Sequence, residues 1–207
     1  MPRVVDRTQR QEALMQAALG VFAERGFHRA TMQAVAERAG VSKGGVYAYF
    51  DSKEHLLTST ADYLFRTLLE PAMAAFESDR GPIHDRIRRF LSSLLEAIDD
   101  WTELCFSLLQ VWAELGPRKA QPLKALMADL YRQSADRVQA IFDDAVTSGE
   151  ARPFPTRGAA LALLALLDGL TLQAIIAPDE FRTTVATGFF ADWCASTVPT
   201  GQEGTRQ

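Results

Sequence analysis

The stretch Thr31–Lys53, TMQAVAERAGVSKGGVYAYFDSK, decides how the rest of this chain is to be read. Thr31 is a good N-cap, and Met32, Val35, Ala36 and Ala39 behind it form a one-sided apolar stripe. Gly40 suits the left-handed stop after such a helix, Val41 turns inward, and Ser42 caps a new helix at once. Helix, short glycine turn, helix is the helix-turn-helix pattern. The second helix, predicted over Lys43–Phe50, carries Gly44 and Gly45 in its first turn. Each costs up to about 1 kcal/mol relative to alanine inside a helix, so stability did not select them. At 100° per residue Val46 and Phe50 face the core, Gly44, Tyr47 and Ala48 face outward, and Gly45 and Tyr49 lie on the flank. Small residues beside an outward tyrosine suit close approach to a nucleic-acid groove, with Lys43 placed for a phosphate or a guanine edge.

Working outward, Thr8–Glu24 places Leu14, Ala17, Ala18, Val21 and Phe22 at helical spacing. Thr8 and Gln11 fit a capping box at its start, Gly26 a stop at its end, and Phe27 folds back onto the core. Arg3, Arg7 and Arg10 open this segment, either as a solvated tail or as phosphate or minor-groove contacts. Beyond Phe50, Asp51 or Ser52 caps a fourth helix, where Lys53 and free backbone N–H groups are placed to hold a phosphate.

The net charge of −4 is unevenly spread: residues 1–60 carry +2 and the remainder −6. Attraction to phosphate acts within a Debye length, about 8–10 Å, so an acidic body does not prevent a basic end from binding DNA; the modest asymmetry permits this without demanding it. Hydrophobic residues make up 47% of the 207, enough for a sizeable core. No apolar h-region follows the first ten residues. The longest apolar run, Gly158–Leu167, stops at Asp168, short of the roughly 20 residues that span a bilayer, and a cytoplasmic protein is expected. Cys105 and Cys194 form no CxxC and read as buried, reduced thiols, with a redox-sensor pair as the alternative. His28, His55 and His84 share no metal-ligand spacing, and no phosphate loop, dinucleotide fingerprint or nucleophile elbow occurs. No metal, cofactor or enzymatic activity is expected.

In the body, a helix runs from Ser52 to about Phe76, with a kink or a stop predicted at Pro71. Helices over Ile83–Ile98, Trp101–Leu115 and Leu123–Val146 follow, then the loop Ser148–Pro155. Val198–Gln207 reads as a loose polar tail. Gly158–Ala177 is apolar nearly all round and needs cover on every face. With only Phe181–Ser196 left to pack on it, a second copy of the chain supplies the remaining cover, giving a two-fold four-helix bundle. Leu163, Leu167, Leu170, Phe189 and Trp193 are the candidate interface residues. Trp101, Phe106, Leu109 and Trp112 on one helix, with Met127, Tyr131 and Phe142 on the next, are core or the wall of a pocket. Asp168 inside a leucine-rich helix must be paired or near water.

The run GFHRATMQAVAERAGVSKGGVYAYFDSKEHLL, from Gly26 to Leu57, resembles the N-terminal domain of the TetR family of transcriptional regulators, within about 50 matching residues. The resemblance implies an all-α fold of about nine helices. A helix-turn-helix domain over 1–52 precedes an effector-binding and dimerisation domain over 53–207, with dimer helices near 158–177 and 180–196. It implies DNA contacts at Thr31, Ser42, Lys43, Gly44, Gly45, Tyr47, Tyr49 and Lys53. Ala48-Tyr49 departs from the family's aromatic-histidine pair, so Ala48 reaches little. The resemblance also implies a small apolar or amphipathic effector, with Trp101, Phe106, Leu109, Trp112, Met127, Tyr131 and Gln173 as pocket candidates. The function expected is a homodimeric repressor released from a palindromic operator by that ligand. The alternatives are a ligand-independent regulator and, from another class, an α-helical binding protein or enzyme.

Overall fold

The computed structural model describes residues 7–97, 106, 110, 121–177, 179 and 184–201. Eight helices run through them: α1 Arg7–Arg29, α2 Met32–Ala39, α3 Lys43–Tyr47, α4 Lys53–Ser78, α5 over residues 83–97, α6 Gln121–Thr147, α7 Thr156–Ile176 and α8 Thr184–Thr197. Apart from one isolated antiparallel bridge between Ala151 and Thr200, no β-structure forms among the described residues. The fold is all-α, as expected. The helix predicted over Trp101–Leu115 lies almost wholly outside the described residues.

Two compact units divide the chain: Met1–Thr67 with Glu103–Ala128, and Leu68–Thr102 with Asp129–Gln207. The first holds one core, built from Leu14, Ala18, Val21 and Phe22 of α1, Val35 and Ala36 of α2, Val46 of α3 and Phe50. Leu56, Leu57 and Ala61 of α4 and Leu123 of α6 join the same core. This unit therefore extends beyond residue 52, because Leu56, Leu57 and Ala61 of α4 are part of its core. Phe27 follows Gly26, whose φ of 70° breaks the helical path of α1, and its ring packs 5.7 Å from Phe22. Burying such a side chain stabilises by about 2–3 kcal/mol.

In the second unit Met73 and Phe76 of α4 pack with Ile83, Ile87, Phe90 and Leu91 of α5. Val138, Ile141 and Phe142 of α6, Leu163, Leu164 and Leu167 of α7, and Ala191 and Cys194 of α8 complete this core. Phe76 stacks on Phe90 at 4.7 Å. Of the two outcomes expected at Pro71, the stop is corrected: α4 continues as one helix to Ser78. Burial of Ala72, Met73 and Phe76 just beyond the proline offsets its cost of about 3 kcal/mol. The loose tail expected over Val198–Gln207 is corrected for Val198–Gly201; residues 202–207 lie outside the described residues. Pro199 O accepts from Arg152 N at 2.9 Å, Gly201 N donates to Glu150 O at 2.7 Å, and Val198 O meets His84 Nε2 at 2.7 Å. Cys194 is buried, which pushes its thiol pKa up and keeps it unreactive; Cys105 lies outside the described residues.

By length and composition alone Thr156–Ile176 is able to cross a membrane, with 28% of its most apolar window buried. The expectation that no segment reaches that length counted only unbroken apolar runs. One carboxylate in a helix this apolar does not bring down its average.

Candidate nucleic-acid interface

Thr31 sits in extended backbone, and its hydroxyl accepts from Ala34 N at 3.1 Å, so α2 starts where the sequence places it. Gly40 ends α2 at φ 66°, a left-handed position that disfavours a side chain. Ser42 repeats the first device, its hydroxyl accepting from Gly45 N at 3.1 Å. The helix α3 is shorter than predicted, ending at Tyr47. Ala48 N and Tyr49 N still bond back to Gly44 O and Val46 O, at 3.0 Å each, and carry the chain round to Phe50.

On α3 the outward face is Lys43, Gly44, Tyr47 and Ala48, all exposed, while Val46 is fully buried. Tyr47 is 45% exposed, and the Lys43 ammonium lies 5.9 Å from its ring centre. At Gly44 the nearest neighbour of an added Cβ is the Ser42 hydroxyl at 3.9 Å. Gly45 is half-buried, with Val41 and Ser42 at 3.5 Å from such a Cβ. Nothing inside the chain demands glycine at position 44. The absence of a side chain there leaves room for something outside it.

Tyr49 and Lys53 are placed differently. Tyr49 is half-buried against the core, tilted on Phe50, with the Arg7 guanidinium 5.8 Å from its ring centre. Lys53 Nζ donates to the carbonyls of Phe27 at 2.7 Å, Ala30 at 3.0 Å and His28 at 3.3 Å. It also lies 4.4 Å from the centre of the Phe27 ring. In the free chain that ammonium is turned toward the end of α1. The hydroxyl of Ser52, not a group of Asp51, caps α4, accepting from His55 N at 3.0 Å. Sequence reasoning missed Gly20: Arg38 of α2 crosses α1 at that point to pair with Glu24, and an added Cβ would lie 2.2 Å from Arg38 Nη1. A glycine inside an otherwise strong helix was the available signal.

Among the pocket candidates, Trp101, Leu109 and Trp112 lie outside the described residues. Phe106 is exposed, Met127 packs on the core of the first unit, Tyr131 is half-buried and Gln173 is exposed. The Tyr131 hydroxyl donates to Asp168. Burial of the Asp168 carboxyl raises it above the usual carboxylate range, and that hydrogen bond pulls the other way. By surface area the residue as a whole is exposed in the single chain. A separate open cleft of about 410 Å³ is lined by Glu77, Arg80, Arg86, Asp136, Arg137, Ala140, Ile141 and Asp144. None of the described pocket candidates, Phe106, Met127, Tyr131 and Gln173, borders it. Much of its charge is already paired, Arg137 with Glu70 and Glu77 and Asp136 with Arg157.

The apolar face of α7 needs a correction. Leu163, Leu167 and Leu170 are buried within the chain itself, so they are not the outward residues. At 100° per residue the opposite face carries Leu161, Ala165, Asp168, Leu172 and Ile176, all exposed, Ile176 by 72%. On α8, Phe189 and Trp193 are exposed one turn apart, as an outward face requires.

Residues 14–60 match the family model for bacterial regulatory proteins of the tetR family. Residues 83–199 match the model for the C-terminal part of BetI-type transcriptional repressors. The HTH-type transcriptional regulator BetI of Burkholderia thailandensis is 30% identical over 188 residues, which span 90% of this chain and 92% of that protein. YhgD, an HTH-type transcriptional regulator of Bacillus subtilis, is 27% identical over 157 residues, 76% of this chain and 80% of that one. In structure, a TetR transcription regulator of Haloarcula marismortui superposes with a TM-score of 0.72 at 23% identity, covering 92% of this chain and 98% of its own. FadR of Bacillus subtilis, in complex with stearoyl-CoA, superposes with a TM-score of 0.69 at 16% identity, covering 93% and 99%.

Proposed function

This chain belongs to the TetR family of transcriptional regulators, and from that premise we propose that it is a homodimeric repressor of a palindromic operator, working beside the DNA in the cytoplasm. The family is one of DNA-binding regulators, not of enzymes. The exposed Lys43-Gly44-Tyr47 face carries the reading, because position 44 has space for a side chain and has none. A groove edge approaches closely at Gly44, Lys43 reaches a phosphate or a guanine, and Tyr47 packs on the backbone. Thr31, exposed at the start of α2, contributes a further contact. Ser42 and Gly45 set the helix start, and Tyr49 supports it from behind.

A dimer supplies two such faces, suiting half-sites about one helical turn, 34–36 Å, or a multiple of it apart. The exposed apolar stripe of α7 with Phe189 and Trp193 of α8 supports a two-fold bundle as the contact between copies. A small apolar or amphipathic ligand in the helical body releases the DNA by preferring the spacing that does not fit the operator; equal affinity for both states would shift nothing. Selection of bound sequences from random DNA tests the proposal. Recovered sites with inverted half-sites at a fixed separation are expected. Asymmetric sites, or none, would count against a symmetric reader.

A further inference from the structure

The open cleft of about 410 Å³ belongs wholly to the second unit, lined from the end of α4, the start of α5 and the middle of α6. Arg86 of α5 is one of its walls. Arginine is almost never buried deeply unless it is paired, yet Arg86 is only 5% exposed and forms no ion pair among the described residues. Its one hydrogen bond there runs from Nη2 to the Phe76 carbonyl at 3.1 Å, and its Nε is buried with no acceptor. The Phe76 ring, 5.6 Å from the guanidinium carbon, offsets part of the lost hydration. The Asp79 carboxylate feels the Arg86 charge through space, but its own bonds go to Gly81 N and Arg89 Nε, each at 2.8 Å. A buried cation with spare donors is costly unless an anion completes it.

The other charges round the cleft narrow the choice of anion. Arg137 is held by Glu70 and Glu77, and Asp136 by Arg157. Arg80, just beyond α4, is exposed with no side-chain partner among the described residues, which leaves a second cation for a ligand. Asp144 stands exposed on the same lining, and with Glu77 it opposes a second negative charge. Ala140 and Ile141 add a short apolar wall. The planar fork of a guanidinium matches a carboxylate, and a cleft of this size suits a small organic molecule. We propose that the cleft binds a small monocarboxylate with a short apolar tail, its carboxylate held by Arg86 and drawn in by Arg80. The site shares no residue with the pocket candidates Phe106, Met127, Tyr131 and Gln173, and it does not depend on the DNA-binding reading.

The test follows the arginine Nε–H resonances of the isotope-labelled full chain by NMR as sodium butyrate is added at constant ionic strength. A saturable shift of the Arg86 resonance, and of the Ala140 and Ile141 amides, is expected. Sodium chloride should produce none, nor should butanol, which keeps the apolar tail and lacks the charge. Inorganic phosphate at mildly alkaline pH, a dianion there, is expected to bind roughly tenfold more weakly or worse, because its second charge meets Glu77 and Asp144. Arg86→Met is expected to abolish the butyrate response of the two amides, and Arg80→Gln, a surface change, to weaken it about threefold. The proposal is overturned by the lack of a saturable shift, by equal shifts from chloride or butanol, or by phosphate binding as tight as butyrate. Wild-type butyrate affinity in either variant overturns it as well. If Arg86→Met does not fold, Arg80→Gln decides alone.

Discussion

A side chain at position 44 would meet nothing nearer than the Ser42 hydroxyl at 3.9 Å, and a helix prefers almost any residue to glycine by up to about 1 kcal/mol. Gly44→Leu is therefore expected to leave the melting temperature unchanged or raise it slightly, while abolishing operator binding in a gel-shift or anisotropy titration. Tyr47→Ala removes a side chain 45% exposed on the same face. Its stability should stay within about 0.5 kcal/mol of wild type while affinity falls roughly tenfold or more, equivalent to about 1.4 kcal/mol. Full DNA binding by both variants would remove α3 from the interface. The sequence made this face legible because glycine in a short helix conflicts with propensity. It did not reveal the position of Lys53 in the free chain, since the carbonyls it meets are brought beside it only by the relative placement of α1 and α4.

At the scale of the element, α4 is held on both sides of Pro71. Arg137 of α6 donates to Glu70 at 2.8 and 3.0 Å and, through Nη2, to Glu77 at 2.9 Å. The hydrogen bond and charge of Arg137 hold the Glu77 carboxyl below its ordinary range, while burial pushes it up. The same two glutamates raise the pKa of Arg137, which stays charged throughout. A depressed carboxylate contributes stability above its unfolded pKa, near about 4.3, and that contribution is lost as pH falls through the lower folded value. Arg137→Met is expected to lower stability at neutral pH by about 1 kcal/mol and to flatten the decline below about pH 4.3. Thermal melts of both proteins between neutral and acid pH check it; parallel curves would show that this brace contributes nothing. From the sequence Pro71 reads as a kink or a stop, because helix propensity records the lost bond and not the burial of Met73 and Phe76 beyond it.

For the whole molecule the decisive surface is the one left uncovered. Leu161, Leu172 and Ile176 of α7 are exposed with Phe189 and Trp193 of α8. Ile176→Glu and Leu172→Glu are expected to yield a folded monomer by light scattering at micromolar concentration, with loss of operator binding. Leu167→Glu places a charge in the chain's own core and is expected to prevent folding instead. Dimers that persist in Ile176→Glu or Leu172→Glu would move the interface elsewhere. The sequence by itself determined the all-α class, the caps at Thr31 and Ser42, the turn at Gly40 and the outward face of α3. Each of these follows from spacing and local backbone chemistry. Tertiary structure alone decided which side of α7 faces out, that α4 passes through Pro71, that Val198–Gly201 is tied down, and where the Lys53 ammonium goes. A helix apolar all round carries no phase in its pattern, and a long side chain's partner is set by whichever element packs beside it.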